Sequence, residues 1–125
     1  MGILFITLLT IISLNSFDSR ELVNNFGEQL AQVADAEYDR THEDGNFYAY
    51  LAKFNNNNTL QNFKEDVSSL IKNSEYEINT EKDWQYDEPS ESHVTVLRVN
   101  DQYHIAIYFY SDLNRFAVAD ATGQF

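Results

Sequence analysis

The stretch VTVLRVNDQYHIAIYFYSDLNRFAV, residues 94–118, decides the fold. Its β-branched and aromatic residues alternate and are twice interrupted by short polar groups, the pattern of strands joined by tight turns. Val94–Val99 reads as the first strand. Asn100-Asp101 reads as a two-residue turn, because Asn and Asp tolerate the positive φ angles of a type I′ hairpin. Tyr103–Tyr110 is the second strand, Ser111-Asp112-Leu113-Asn114 a second turn, and Phe116 to Val118 lies in the third strand. The first turn would pair Val99 with Gln102, Val96 with Ile105 and Val94 with Ile107. The second would pair Phe109 with Phe116 and Ile107 with Val118. One face then holds Val94, Val96, Ile105, Ile107, Phe109, Phe116 and Val118. The other holds Leu97, Val99, Ala106, Tyr108, Tyr110, Ala117 and Ala119, and is not polar either. A sheet with one wet face alternates more cleanly. The second face is therefore expected to be covered, by the first helix or by a second copy of the sheet, with Leu97, Val99, Tyr108 and Tyr110 as interface residues.

Upstream, Tyr76, Ile78, Thr80, Lys82, Trp84 and Tyr86 alternate with acidic or polar residues, which predicts a fourth strand. A loop with the only proline, Pro89, separates it from Val94. Earlier residues recur at helical spacing instead. Asp18-Ser19-Arg20-Glu21 has the form of a capping box. Leu22, Phe26, Leu30 and Val33 follow on one stripe, with Val23, Ala34 and Tyr38 beside it, until Arg40. Phe47, Tyr50, Leu51 and Phe54 predict a short second helix. The Asn55–Asn58 run reads as a solvated loop, and Asn58 or Thr59 caps a third helix carrying Leu60, Phe63, Val67, Leu70 and Ile71.

The expectation is an α+β domain over residues 18–125: two or three N-terminal helices followed by a four-stranded antiparallel meander sheet. This order resembles cystatin-like and NTF2-like folds, in which a helix lies in the palm of a curved sheet. The resemblance is architectural and implies no activity.

Residues 1–17 read differently. Ile3 to Leu14 is an uncharged apolar run, the length of a signal-peptide core and short of the roughly 20 residues that span a bilayer. No Lys or Arg precedes it, and cleavage after Ser16 would leave Leu14 where a small residue is usual. A signal peptide and an uncleaved N-terminal anchor both stand, so the protein is expected to be secreted or extracytoplasmic, or else membrane-held through residues 3–14. Asn57-Asn58-Thr59 is a glycosylation sequon, whose use the sequence leaves open.

Composition removes several function classes. The 125 residues carry 20 acidic and eight basic side chains, a net charge of −12. That repels phosphate backbones, so nucleic acid is not an expected partner. Cysteine is absent, which excludes disulfides and thiolate chemistry. Serines lack the nucleophile-elbow setting. His42, His93 and His104 fit no zinc-binding spacing. A calcium loop begun at Asp35 places Arg40 and Asn46 where glycine and glutamate are needed, and one begun at Asp39 places Asp44 and Tyr50 there. The four glycines lie too far apart to cradle phosphate. No metal and no cofactor are expected.

One polar constellation remains. In the expected register, Arg98 lies opposite Tyr103 and Asp120 opposite Ile105, on the first face near one end, with Trp84 joining them. Polar groups in an apolar cup suit a small ligand, and a desolvated carboxylate there suits acid–base work. The leading expectation is nonetheless a non-enzymatic binding domain that takes a protein partner or itself through its sheet. Its nine Phe and eight Tyr suit an interface. The alternative is a small-molecule or weakly catalytic pocket using Asp120, Arg98 and Tyr103.

Overall fold

The computed structural model describes residues 19–122. Eight elements follow one another: α1 (Ser19–Val33), β1 (Ala36–Asp44), β2 (Phe47–Phe54), α2 (Leu60–Asn73), β3 (Ile78–Asp87), β4 (Ser92–Val99), β5 (Tyr103–Tyr110) and β6 (Arg115–Asp120). The strands form one antiparallel sheet in the order β1-β2-β6-β5-β4-β3. The α+β class holds, with two helices and six strands where two or three helices and four strands were expected. The targeting reading of residues 1–17 falls outside the described residues, and among those described no helix is long and apolar enough to cross a membrane.

Two corrections lie in residues 34–54. The α1 stripe ends at Val33, and Asp35 at φ 55° turns the chain out of the helix. Tyr38 is thus in a strand, not on a helical stripe. The expected helix around Phe47 is strand β2, and its residues alternate. Tyr48, Tyr50, Ala52 and Phe54 face the core, while Phe47, Ala49, Leu51 and Lys53 face away. Both faces carry apolar residues, so helical and strand periods match equally well. The deciding signal is local. Gly45 at φ 61° makes the tight link between β1 and β2, the kind of position that favours glycine.

The third correction concerns register. Asn100 (φ 52°) and Asp101 (φ 58°) do form the expected turn, and the Gln102 amide donates to the Val99 carbonyl at 3.1 Å. The ladder then restarts at Val99–Tyr103, leaving Gln102 as an extra residue. The pairs become Leu97–Ile105, Thr95–Ile107 and Val96–Ala106. Every β4 side chain changes face relative to the expectation. The β5–β6 register, Phe109–Phe116 and Ile107–Val118, is as expected.

Both helices cover the same, inner face. Leu22, Phe26 and Leu30 of α1 and Phe63, Val67 and Leu70 of α2 join one buried cluster with Leu97, Val99, Ile105, Ile107, Phe109, Phe116 and Val118. Thr59 caps α2, its hydroxyl accepting the Asn62 amide at 3.1 Å. Phe63 then reaches the centre of the core, with Phe54, Phe109 and Phe116 at ring-centroid distances of 5.3 to 5.5 Å.

The asparagine run is more than a solvated loop. Asn55 and Asn56 donate to the Asp35 carboxylate at 2.9 and 3.2 Å. Asn114, at φ 51°, accepts the Asn58 amide at 3.3 Å and donates to the Asn56 carbonyl at 3.4 Å. The loop before α2 is pinned to the α1–β1 and β5–β6 connections.

Gly27 is where α1 comes closest to the sheet. A Cβ there would overlap the Tyr50 ring. Gly27→Ala should lower stability by about 1–3 kcal/mol through overpacking. Urea unfolding should show a lower midpoint with an unchanged slope, and Tyr50→Leu in the same chain should recover part of the loss.

Candidate binding face

Residues expected to form a polar cup do not share one face. Tyr103 packs against the core on the inner side, and Trp84 meets Phe63 there at 6.0 Å. Asp120 pairs with Ile105 and also faces the helices. Arg98 pairs with His104 and lies on the outer side. There it sits 3.5 Å from Asp101 and 4.0 Å from Glu81. The one-residue shift at Gln102 separates Arg98 from Tyr103.

Asp120 has a structural task. Its carboxylate accepts the Ser19 hydroxyl at 2.5 Å and the Thr122 amide at 3.0 Å, tying the first residue of α1 to the end of β6. Burial alone would raise its pKa. The bonds from Ser19 and Thr122 outweigh that and hold it below the ordinary carboxylate value.

The same register shift redistributes the expected interface residues. Leu97 and Val99 face the helices, 1% and 0% exposed. Tyr108 and Tyr110 remain on the outer face with Ala106, Ala117 and Ala119, and Val94 and Val96 join them. Tyr108 and Val94 pack against a small buried group of Val96, Ala106 and Ala121. The tyrosine rings stack at 6.1 Å and 13° from parallel. Burial above all raises the pKa of both phenols, followed for Tyr108 by the charge of nearby Asp87 and for Tyr110 by Tyr108 and then Asp87, so they stay protonated donors at neutral pH. No helix among the described residues covers this face.

Charge is unevenly spread over the molecule. Arg40, Lys53, Lys82, Arg98 and Arg115 belong to outer-facing positions, five of the chain's eight basic residues. Glu37, Asp39, Asp44, Glu81 and Asp87 accompany them, and Arg115 pairs with Asp39 at 3.1 Å. The remaining basic residues, Arg20, Lys64 and Lys72, are on the helices. The outer face is thus close to neutral. The helices are close to neutral too, with Glu21, Glu28, Glu65 and Asp66 against Arg20, Lys64 and Lys72, so most of the net charge of −12 resides in the loops, turns and strand ends.

Edge strands are closed to further pairing by their chemistry. β1 reads Ala-Glu-Tyr-Asp-Arg-Thr-His-Glu-Asp with an irregularity between Tyr38 and Arg40. β3 carries Glu81, Lys82 and Asp83 and two irregularities of its own. Charge and bulges on an edge oppose strand addition.

Three of the outer-face residues, Arg40, Phe47 and Leu51, were hidden from sequence reasoning because the first helix reads as far as Arg40 and Phe47–Phe54 reads as a second helix. The glycine at position 45 was the signal that could have exposed them.

Ser19→Ala should cost about 1 kcal/mol at pH 7, given partial exposure. Because Asp120 is held below its unfolded pKa, its contribution is present above that value and lost as pH falls through the folded one. The gap between variant and native chain in urea unfolding should therefore narrow in acid.

No family model, curated protein or solved structure matches this chain, so its function is argued from the geometry of the sheet alone.

Proposed function

We propose that this protein is a non-enzymatic interaction domain, secreted or held at a membrane through residues 3–14, that associates through its outer sheet face. The occupant with the best physical fit is a second copy of the chain. The observation that carries this is the apolar centre of the face, where Val94, Val96, Ala106, Tyr108 and Ala117 lie together on the side away from both helices.

Charge supports the choice. Two chains of −12 repel each other unless they meet where each is least negative. The near-neutral outer face meets that condition and the acidic loops and turns do not. The charged, irregular edges leave the face as the natural route of association. A twofold arrangement would set Tyr108 and Tyr110 against the partner's small residues, the aromatic-on-small packing common at interface centres. For architecture, we read the helix laid across the sheet as cystatin-like or NTF2-like in kind, a likeness that brings no activity with it.

Sedimentation velocity tests this reading. The native chain should be dimeric at high micromolar concentration. Tyr108→Ser with Tyr110→Ser should shift it to monomer, with unchanged far-ultraviolet circular dichroism. A native chain that stays monomeric throughout that range would overturn self-association.

A further inference from the structure

On the β1–β2 side, the outer face dips into a cleft of about 340 Å³. Its floor is made of short or branched aliphatic groups. Ala49 and Leu51 come from β2 and Ala117 from β6, and Leu51 pairs directly with Ala117. Its walls are aromatic. The stacked Tyr108 and Tyr110 rise from β5. Opposite them, His42 of β1 and Phe47 of β2 meet edge to face at 5.9 Å and 61°.

Two strands, β6 and β2, separate β5 from β1. At about 4.8 Å between neighbours, the outermost backbones lie roughly 14 Å apart. The volume falls at the small end of ligand sites, which run from about 300 to 1,000 Å³.

The cleft also has electrical direction. Arg40 lines it, and among the described residues its guanidinium makes no ion pair, in a chain with 20 acidic side chains. Of the acids within three positions of it, Asp39 pairs with Arg115 and Glu43 with Arg20, while Glu37 stands opposite Lys53 in the ladder. At the tyrosine end Arg115, the ladder partner of Tyr110, is taken up by its pair with Asp39. Asp87 acts on both phenols, and the Ser90 hydroxyl is bonded to it at 2.5 Å. An anionic group is thus drawn to the Arg40 end and repelled from the other. A guanidinium is the side chain best suited to a planar, bidentate carboxylate.

We propose that this cleft binds a small aromatic carboxylate, its ring on the Ala49–Leu51–Ala117 floor between the aromatic walls and its carboxylate paired with Arg40. This goes beyond self-association and does not require it. The floor selects for a flat apolar body, and Arg40 selects for the acid.

The probe is 1-naphthoate, titrated into the isotope-labelled full chain and followed by amide chemical shifts. Protein concentration is set where sedimentation gives a monomer, so ligand binding is read apart from association. Saturable shifts are expected on β1, β2, β5 and β6, with a dissociation constant on the order of 1 mM for a ligand of this size. Neutral 1-naphthalenemethanol should bind at least about tenfold more weakly. Arg40→Gln, an exposed change on an edge strand, should weaken 1-naphthoate by a similar factor and leave the alcohol unchanged. The proposal fails if 1-naphthoate gives no saturable shifts or moves the helical face. It fails equally if acid and alcohol bind alike, or if Arg40→Gln binds the acid as the native chain does.

Discussion

One extra residue, Gln102, determines which β4 side chains meet the helices. The Asn100-Asp101 turn closes with the Gln102 amide on Val99, and the ladder resumes one position later. Leu97 and Val99 then enter the core beside Ile105, and Val94, Val96 and Arg98 go outward. Without that residue in the loop, Arg98 would sit under the helices as a buried charge, at a cost of several kcal/mol. The turn is anchored to the next strand as well. The Asn100 amide donates to the Glu77 carbonyl at 2.7 Å, and its side chain accepts the Glu77 amide at 2.9 Å. The loop that sets register is thus itself held in place.

Packing does the rest without covalent help. Phe63 alone links α2 to four strands, through Phe54, Trp84, Phe109 and Phe116. Gly27 lets α1 settle onto Tyr50, and Asp120 fastens the start of the same helix through Ser19. These contacts all lie on one side of the sheet. The consequence for function is the uncovered other side, where small residues and aromatics coexist.

Sequence reading succeeded where a period was unambiguous. The stripe of α2 was legible, with its cap narrowed to Asn58 or Thr59, of which Thr59 is the one used, and so was the β5–β6 pairing. It failed where two periods fitted the same letters. In Phe47–Phe54 both faces are apolar, so alternation leaves no polar trace, and only Gly45 marks the hairpin. It failed again by a single residue after Asn100-Asp101, because turn type is written in local sequence and the length of the following bulge is not. Tyr108 and Tyr110 were placed on one face with Ala106, Ala117 and Ala119, as the structure has them, because that grouping depends on β5 alternation and the β5–β6 register alone. Arg98 was misplaced because its position depends on the β4–β5 register. Arg40 was missed because its strand was.

The concentration of acidic residues in the loops and turns leaves the outer face as a near-neutral window in a molecule of net charge −12. In an encounter with any anionic body, a second copy included, repulsion is weakest when this window faces forward. Productive orientation is then partly selected during diffusion rather than searched for after collision. Screening acts at a Debye length of about 8 Å at physiological salt, so this steering works over the last stretch of the approach. A surface that contributes little charge of its own can in this way govern how the whole molecule arrives.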